Sequence, residues 1–160
     1  MTQSPTHTRL LRASAGLWVV WGLVHLFAGV ASLSGTTVEM VQAVADAVPD
    51  AVLAISYPDA VGGILDQHAW NLGWFGAVTI VGAVLIWRGN RTAIWVTAMV
   101  GGLADLGYLL FLDLPGYVAF VPGTVMTIIS ATAIVLSGSV RLQQRRAGAQ
   151  DPVAASSRSV

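Results

Sequence analysis

Four apolar stretches divide the chain, at about residues 13–33, 69–87, 92–112 and 117–138, each near the ~20 residues that an α-helix needs to cross a hydrocarbon layer. Their run lengths predict an all-α integral membrane protein, a bundle of four spans. Short polar turns fix the neighbours. Arg88-Gly89-Asn90-Arg91 makes spans two and three antiparallel, and Asp113-Leu114-Pro115-Gly116 does the same for spans three and four. The first connection, 34–68, is long and is read differently. Thr36 and Glu39 have capping-box spacing, after which Val38, Val41, Ala45 and Val48 form one apolar face up to Pro49. A short amphipathic helix on the outer surface is expected there, covering the bundle mouth, with a second, weaker one over 50–57 before Pro58.

Charge orients these spans. All basic residues are arginines, namely Arg9, Arg12, Arg88, Arg91, Arg141, Arg145, Arg146 and Arg158, and all flank one side of the predicted spans. The long connection holds Glu39, Asp46, Asp50, Asp59 and Asp66 with no basic residue. The positive-inside rule therefore places both termini in the cytoplasm. The basic run at 141–146 is a stop-transfer flank, and the tail at 147–160 is expected to be disordered. The first apolar run exceeds the 7–15 residues of a cleaved signal core, so it reads as an uncleaved helix.

Composition narrows the function classes. Hydrophobic residues make up 55% and charged residues 10%, with mean hydropathy +0.71, against about a quarter charged in soluble domains. The lipid bilayer is the first partner implied. Zero net charge removes the basic field that nucleic acid would need. Without cysteine, thiolate catalysis and cysteine-ligated metal or iron–sulfur sites are excluded. Six tryptophans suit membrane interfaces: Trp87 and Trp95 as an inner anchor, Trp70 with Tyr117 as an outer one. Arginine in place of lysine and alanine-rich usage fit a GC-rich bacterial genome, hence a bacterial cytoplasmic membrane.

Ionisable groups at membrane depth are the main functional hint, because they are costly to place there. Counting 1.5 Å per residue from the nearest inner arginine puts His25 at ~20 Å, Asp105 at ~21 Å and Thr127 at ~21 Å. Asn71 and Thr124 come out at ~25 Å and His68 at ~30 Å. The candidate polar pocket in the outer half is thus His25, Asn71, Asp105, His68, Tyr108 and Thr127. His25 shares a helix face with Trp18, Trp21 and Gly22, and Asp105 with Gly101 and Tyr108; a glycine beside each polar group allows close helix approach.

Several roles fit such a pocket. The bland one is interhelical hydrogen bonding that fixes which faces meet. The leading functional one is a non-enzymatic accessory or binding subunit. The rivals are a redox or proton-handling enzyme or carrier using His25 and Asp105, and a small transporter acting as an oligomer. His25, His68 and Asp105 have the ligand types of a metal site but no ligand spacing, and the depth of His68 counts against metal and bis-histidine haem alike.

In layout the chain resembles the DoxX-like group of small four-span bacterial membrane proteins. The similar parts are the first span ending Ala28-Gly29-Val30-Ala31-Ser32-Leu33, the long outer connection, and the glycine-rich second span running into Arg88-Gly89-Asn90-Arg91-Thr92-Ala93. The lysine that often follows the first-span glycine in that group has no counterpart here. The resemblance implies an accessory subunit of quinone-linked or redox-stress membrane complexes; His25, Asn71 and Asp105 are not carried over from it.

Overall fold

Helix α1 spans Pro5–Leu33, 29 residues, beginning before the apolar run because proline suits a first helical turn and nothing up to Arg12 breaks the helix. In the computed structural model, residues 5–156 are described for the backbone and 5–146 for the side chains. At 1.5 Å per residue α1 is about 43 Å long, enough for hydrocarbon plus headgroups. Helix α2, Thr37–Val44, starts where the capping box places it. The Glu39 N–H donates to Thr36 Oγ1 (3.3 Å), and Glu39 Oε2 accepts from the Thr36 N–H (2.7 Å). Those Thr36 hydrogen bonds, backbone first, hold the exposed Glu39 carboxyl below its usual pKa.

The outer connection departs from expectation in three ways. Helix α2 stops at Val44, so Ala45 and Val48 lie beyond it, and its buried residue is Met40. The chain turns away because the loop after the third span claims it: Ala47 N–H donates to the Tyr117 carbonyl (3.1 Å), and Asp46 Oδ1 accepts the Ala119 N–H (2.6 Å). Helix α3, Asp50–Leu53, is one turn and ends short of Tyr57. Helix α4, Asp59–Trp87, begins just after Pro58 rather than near 69, which brings Asp66, Gln67 and His68 into the helix. Its first turns are too polar to read as hydrocarbon-spanning, yet nothing in them breaks a helix.

Helix α5, Arg91–Tyr108, is capped by Asn90, whose side chain accepts the Ala93 N–H (3.1 Å), and it continues as a π-helical turn over Leu109–Asp113. A second π-helical turn, Phe120–Thr124, contains Pro122 and leads into α6, Val125–Ser156. The fourth span thus starts at Phe120, and its helix is broken at Val121, whose φ of −117° and ψ of 128° are not helical. Thr124 Oγ1 donates to Asp113 Oδ1 (3.0 Å) and ties the two π-helical turns together. Gly89 (φ 78°) and Gly116 (φ 82°) supply the left-handed residues that the two tight turns require. The backbone of the tail is helical as far as Ser156, while Arg158 lies outside the described residues.

Four helices are therefore long and apolar enough to cross a membrane, and no strand occurs among the described residues. Each of α1 and α5 packs against both α4 and α6. The arginine-bearing ends meet: the Arg12 guanidinium lies 5.1 Å from the Trp87 ring centroid, and His7 donates to Gln143 (2.9 Å). Trp18, Trp21 and Ile86 are buried in a core, but many large apolar side chains are not. Phe27, Val81, Met99, Leu103 and Val135 face outward, whereas Ser14, Thr79, Thr97, Ser130 and Ser137 are buried. Such an exterior is suited to lipid, and small or self-bonded side chains inside let backbones approach.

The α1–α4 contact is the closest. A Cβ on Gly22 would stand 2.7 Å from the Gly76 carbonyl oxygen, and one on Gly29 would stand 2.6 Å from that of Ala69. Overpacking of this kind costs about 1–3 kcal/mol. Gly22→Leu should therefore lower the thermal midpoint of detergent-purified protein by several degrees. Gly16→Ala, where an added Cβ meets nothing within 4 Å, should leave it unchanged or slightly raised. Equal effects of the two would show that α1 and α4 do not meet through Gly22.

Candidate functional site

Trp21, His25 and Asp105 form one constellation where α1 faces α5. Trp21 and His25 are one turn apart, so their rings lie on one face, stacked with centroids 3.5 Å apart and planes 17° off parallel. On α5, Gly101 packs directly against the Trp18 ring, and one turn further along Asp105 accepts the Trp21 indole N–H at Oδ2 (2.8 Å). Ser130 on α6 is buried within reach of the same carboxyl, and its hydroxyl also donates to the Thr127 carbonyl (3.1 Å). Asp105 on α5 is thereby held by a hydrogen bond from α1, with Ser130 of α6 nearby.

The histidine tautomer follows from its partner. His25 Nδ1 lies 2.8 Å from the Trp21 carbonyl oxygen, which can only accept, so Nδ1 carries the proton. In the neutral ring Nε2 then presents a lone pair, and it faces Asp105 Oδ1 across 4.0 Å. That separation is too long for a direct hydrogen bond. Two acceptors thus look into one gap.

The gap opens into a cavity of about 590 Å³. His25, His68, Asp105 and Tyr108 all line it, along with Asp46 from the outer connection. Most of the wall is apolar, including Val24, Leu72, Phe75, Phe111 and Met126. Ala43 and Val44 of α2 lie along its outer edge, where the Asp46–Ala119 and Ala47–Tyr117 hydrogen bonds fasten the connection to the opposite loop. The short helix thus borders the cavity, as its place in the sequence suggested. Tyr108 packs its hydroxyl end on Gly123, a position with no room for a side chain.

Of the six pocket candidates, four meet and two do not. Asn71 does not line the cavity; its Oδ1 accepts the Trp74 indole N–H (3.0 Å). Thr127 is not in the wall either, and its Oγ1 is buried without a hydrogen-bond partner. Among the described residues, no group of three or more His, Asp or Glu side chains is arranged to hold a metal ion, so His25, His68 and Asp105 share a cavity without forming a ligand set. Trp18 and Trp21 are fully buried, in contrast to the interfacial role expected of all the tryptophans, whereas Trp70, Trp87 and Trp95 are exposed. Trp21 and Asp46 belong to this constellation and its cavity but were not among the six candidates. The signal for Trp21 was its spacing of four from His25, together with an indole donor that burial obliges to find an acceptor. Asp46 carried no local signal.

No protein-family model, curated protein or solved structure matches the chain. The site has therefore to be read from its own chemistry.

Removing the carboxyl should leave the buried indole N–H of Trp21 unsatisfied, at a cost of about 1–3 kcal/mol. Asp105→Leu should lower the thermal midpoint clearly, and Asp105→Asn, which keeps an acceptor oxygen, should lower it less. Indistinguishable midpoints for the two variants would mean that Trp21 does not depend on this acceptor.

Proposed function

We propose that this chain is a small multi-pass protein of a bacterial cytoplasmic membrane, with both termini inside, that binds a small, largely apolar molecule in the outer half of the bilayer. It acts as a binding or accessory subunit, the role its DoxX-like layout implies, and not as an enzyme. The observation that carries this reading is the cavity of about 590 Å³, apolar in its walls and polar at the His25–Asp105 gap, within the 300–1,000 Å³ usual for small-molecule sites. A purely structural polar pair would close into a direct hydrogen bond between packed helices; a 4.0 Å gap opening on a cavity leaves room for a ligand group. Acid–base chemistry is the second reading, favoured by the bare Nε2 of His25.

Orientation is tested by single cysteines in this cysteine-free chain. A residue-56 cysteine should react with an impermeant maleimide on intact cells and a residue-89 cysteine only after permeabilisation; the reverse pattern would invert the assignment. Ligand binding is tested by solvent extraction and mass spectrometry of protein isolated in native-lipid nanodiscs. Gly107 lines the cavity and has open space at its Cβ, so Gly107→Leu should fill the cavity without a backbone clash. Wild-type protein should retain a non-lipid apolar compound that Gly107→Leu lacks. Identical extracts from both would contradict the reading.

A further inference from the structure

The proposed binding reading leaves the chemical class of the ligand open, and the polar end of the cavity restricts it. With the proton of His25 committed to the Trp21 carbonyl, the gap is bounded by a nitrogen lone pair and a carboxyl oxygen. Both accept. A group filling the gap must bring two donors of its own, and a positive charge would offset the carboxylate. The residues lining the cavity include no lysine or arginine, and their carboxyls are Asp105 at the deep end and Asp46 at the rim. Two carboxyls and no lysine or arginine in the lining disfavour anionic ligands, and Phe75, Tyr108 and Phe111 in the wall are aromatic, a residue type that attracts cations.

Resting on the binding reading above, we propose that the site selects lipophilic amines, a protonated primary or secondary amine donating one N–H to His25 Nε2 and one to Asp105 Oδ1 while its apolar body fills the cavity. The geometry suits this. A nitrogen about 2.8 Å from each of two acceptors that lie 4.0 Å apart subtends an angle of roughly 90°. The tetrahedral H–N–H angle then leaves each bond about 10° from linear, well inside the tolerance of a strong hydrogen bond. A water molecule can also bridge the gap but brings no charge, and an alcohol has one donor for the two acceptors. The discrimination therefore lies between isosteres that differ in charge and donor number.

Calorimetric titration of the purified full chain with three probes on one naphthalene frame tests this: 1-naphthylmethylamine as its ammonium ion, 1-naphthalenemethanol, and 1-naphthoate. The amine should bind at least tenfold more tightly than the alcohol, and the carboxylate should not bind. Asp105→Asn should remove most of the amine's advantage over the alcohol, and His25→Phe should weaken the amine independently. The wild-type ranking decides the matter even where a variant fails to fold. Equal binding of amine and alcohol, both lost in Gly107→Leu, would overturn amine selection and leave the binding site standing. Failure of all three probes would overturn both proposals.

Discussion

A carboxyl group inside a membrane-spanning helix constrains everything near it, since a central aspartate costs about 2.5–3.5 kcal/mol to insert and lipid offers it no partner. Asp105 meets that constraint with an indole N–H from α1. That partner dictates which faces of the two helices turn inward. Trp21 can reach Asp105 only if α1 presents its Trp18–Trp21–His25 face to α5, and Gly101 is small because the Trp18 ring occupies its side. Trp18, Trp21 and Ile86 fill the interior, and many other large apolar side chains lie on the exterior, where lipid is a suitable solvent.

The same arrangement explains why the pair remains open. Stacking on Trp21 and the Nδ1 bond to its carbonyl fix the imidazole to its own helix, so the ring is not free to swing onto the carboxylate. Asp105 in turn is anchored through its other oxygen. Both groups are positioned by the rest of the protein, and neither by the other. Pre-positioned acceptors of this sort lose little further freedom when a donor arrives, which is the property a binding site needs.

Much of this was legible in the sequence, and the failures have definite physical origins. Apolar run length located the four long helices because hydrocarbon thickness dictates it, and the Thr36–Glu39 box and the two turn glycines acted through local hydrogen bonding and φ. Apolarity marks the hydrocarbon and not the helix, so the early starts at Pro5 and Asp59 were hidden. Depth counting put His25 and Asp105 at one height, and they do face each other. Height carries no information about rotation around a helix axis, however. Thr127 and Asn71 sat near the right level and yet lie outside the cavity wall. The Asp46–Ala119 contact joins segments remote in sequence, and no local pattern announces it.

The central claim is that the Trp21 carbonyl holds a proton of His25 on Nδ1, so that in the neutral ring the Nε2 lone pair faces the Asp105 side of a cavity. Nitrogen-15 NMR of histidine-labelled protein in lipid nanodiscs, with His7 and His68 replaced to leave one signal set, measures this directly. The account predicts a protonated Nδ1 and a bare Nε2 for His25 at neutral pH in the ligand-free protein. An Nε2–H tautomer, or an imidazole averaging freely between both forms, would contradict it.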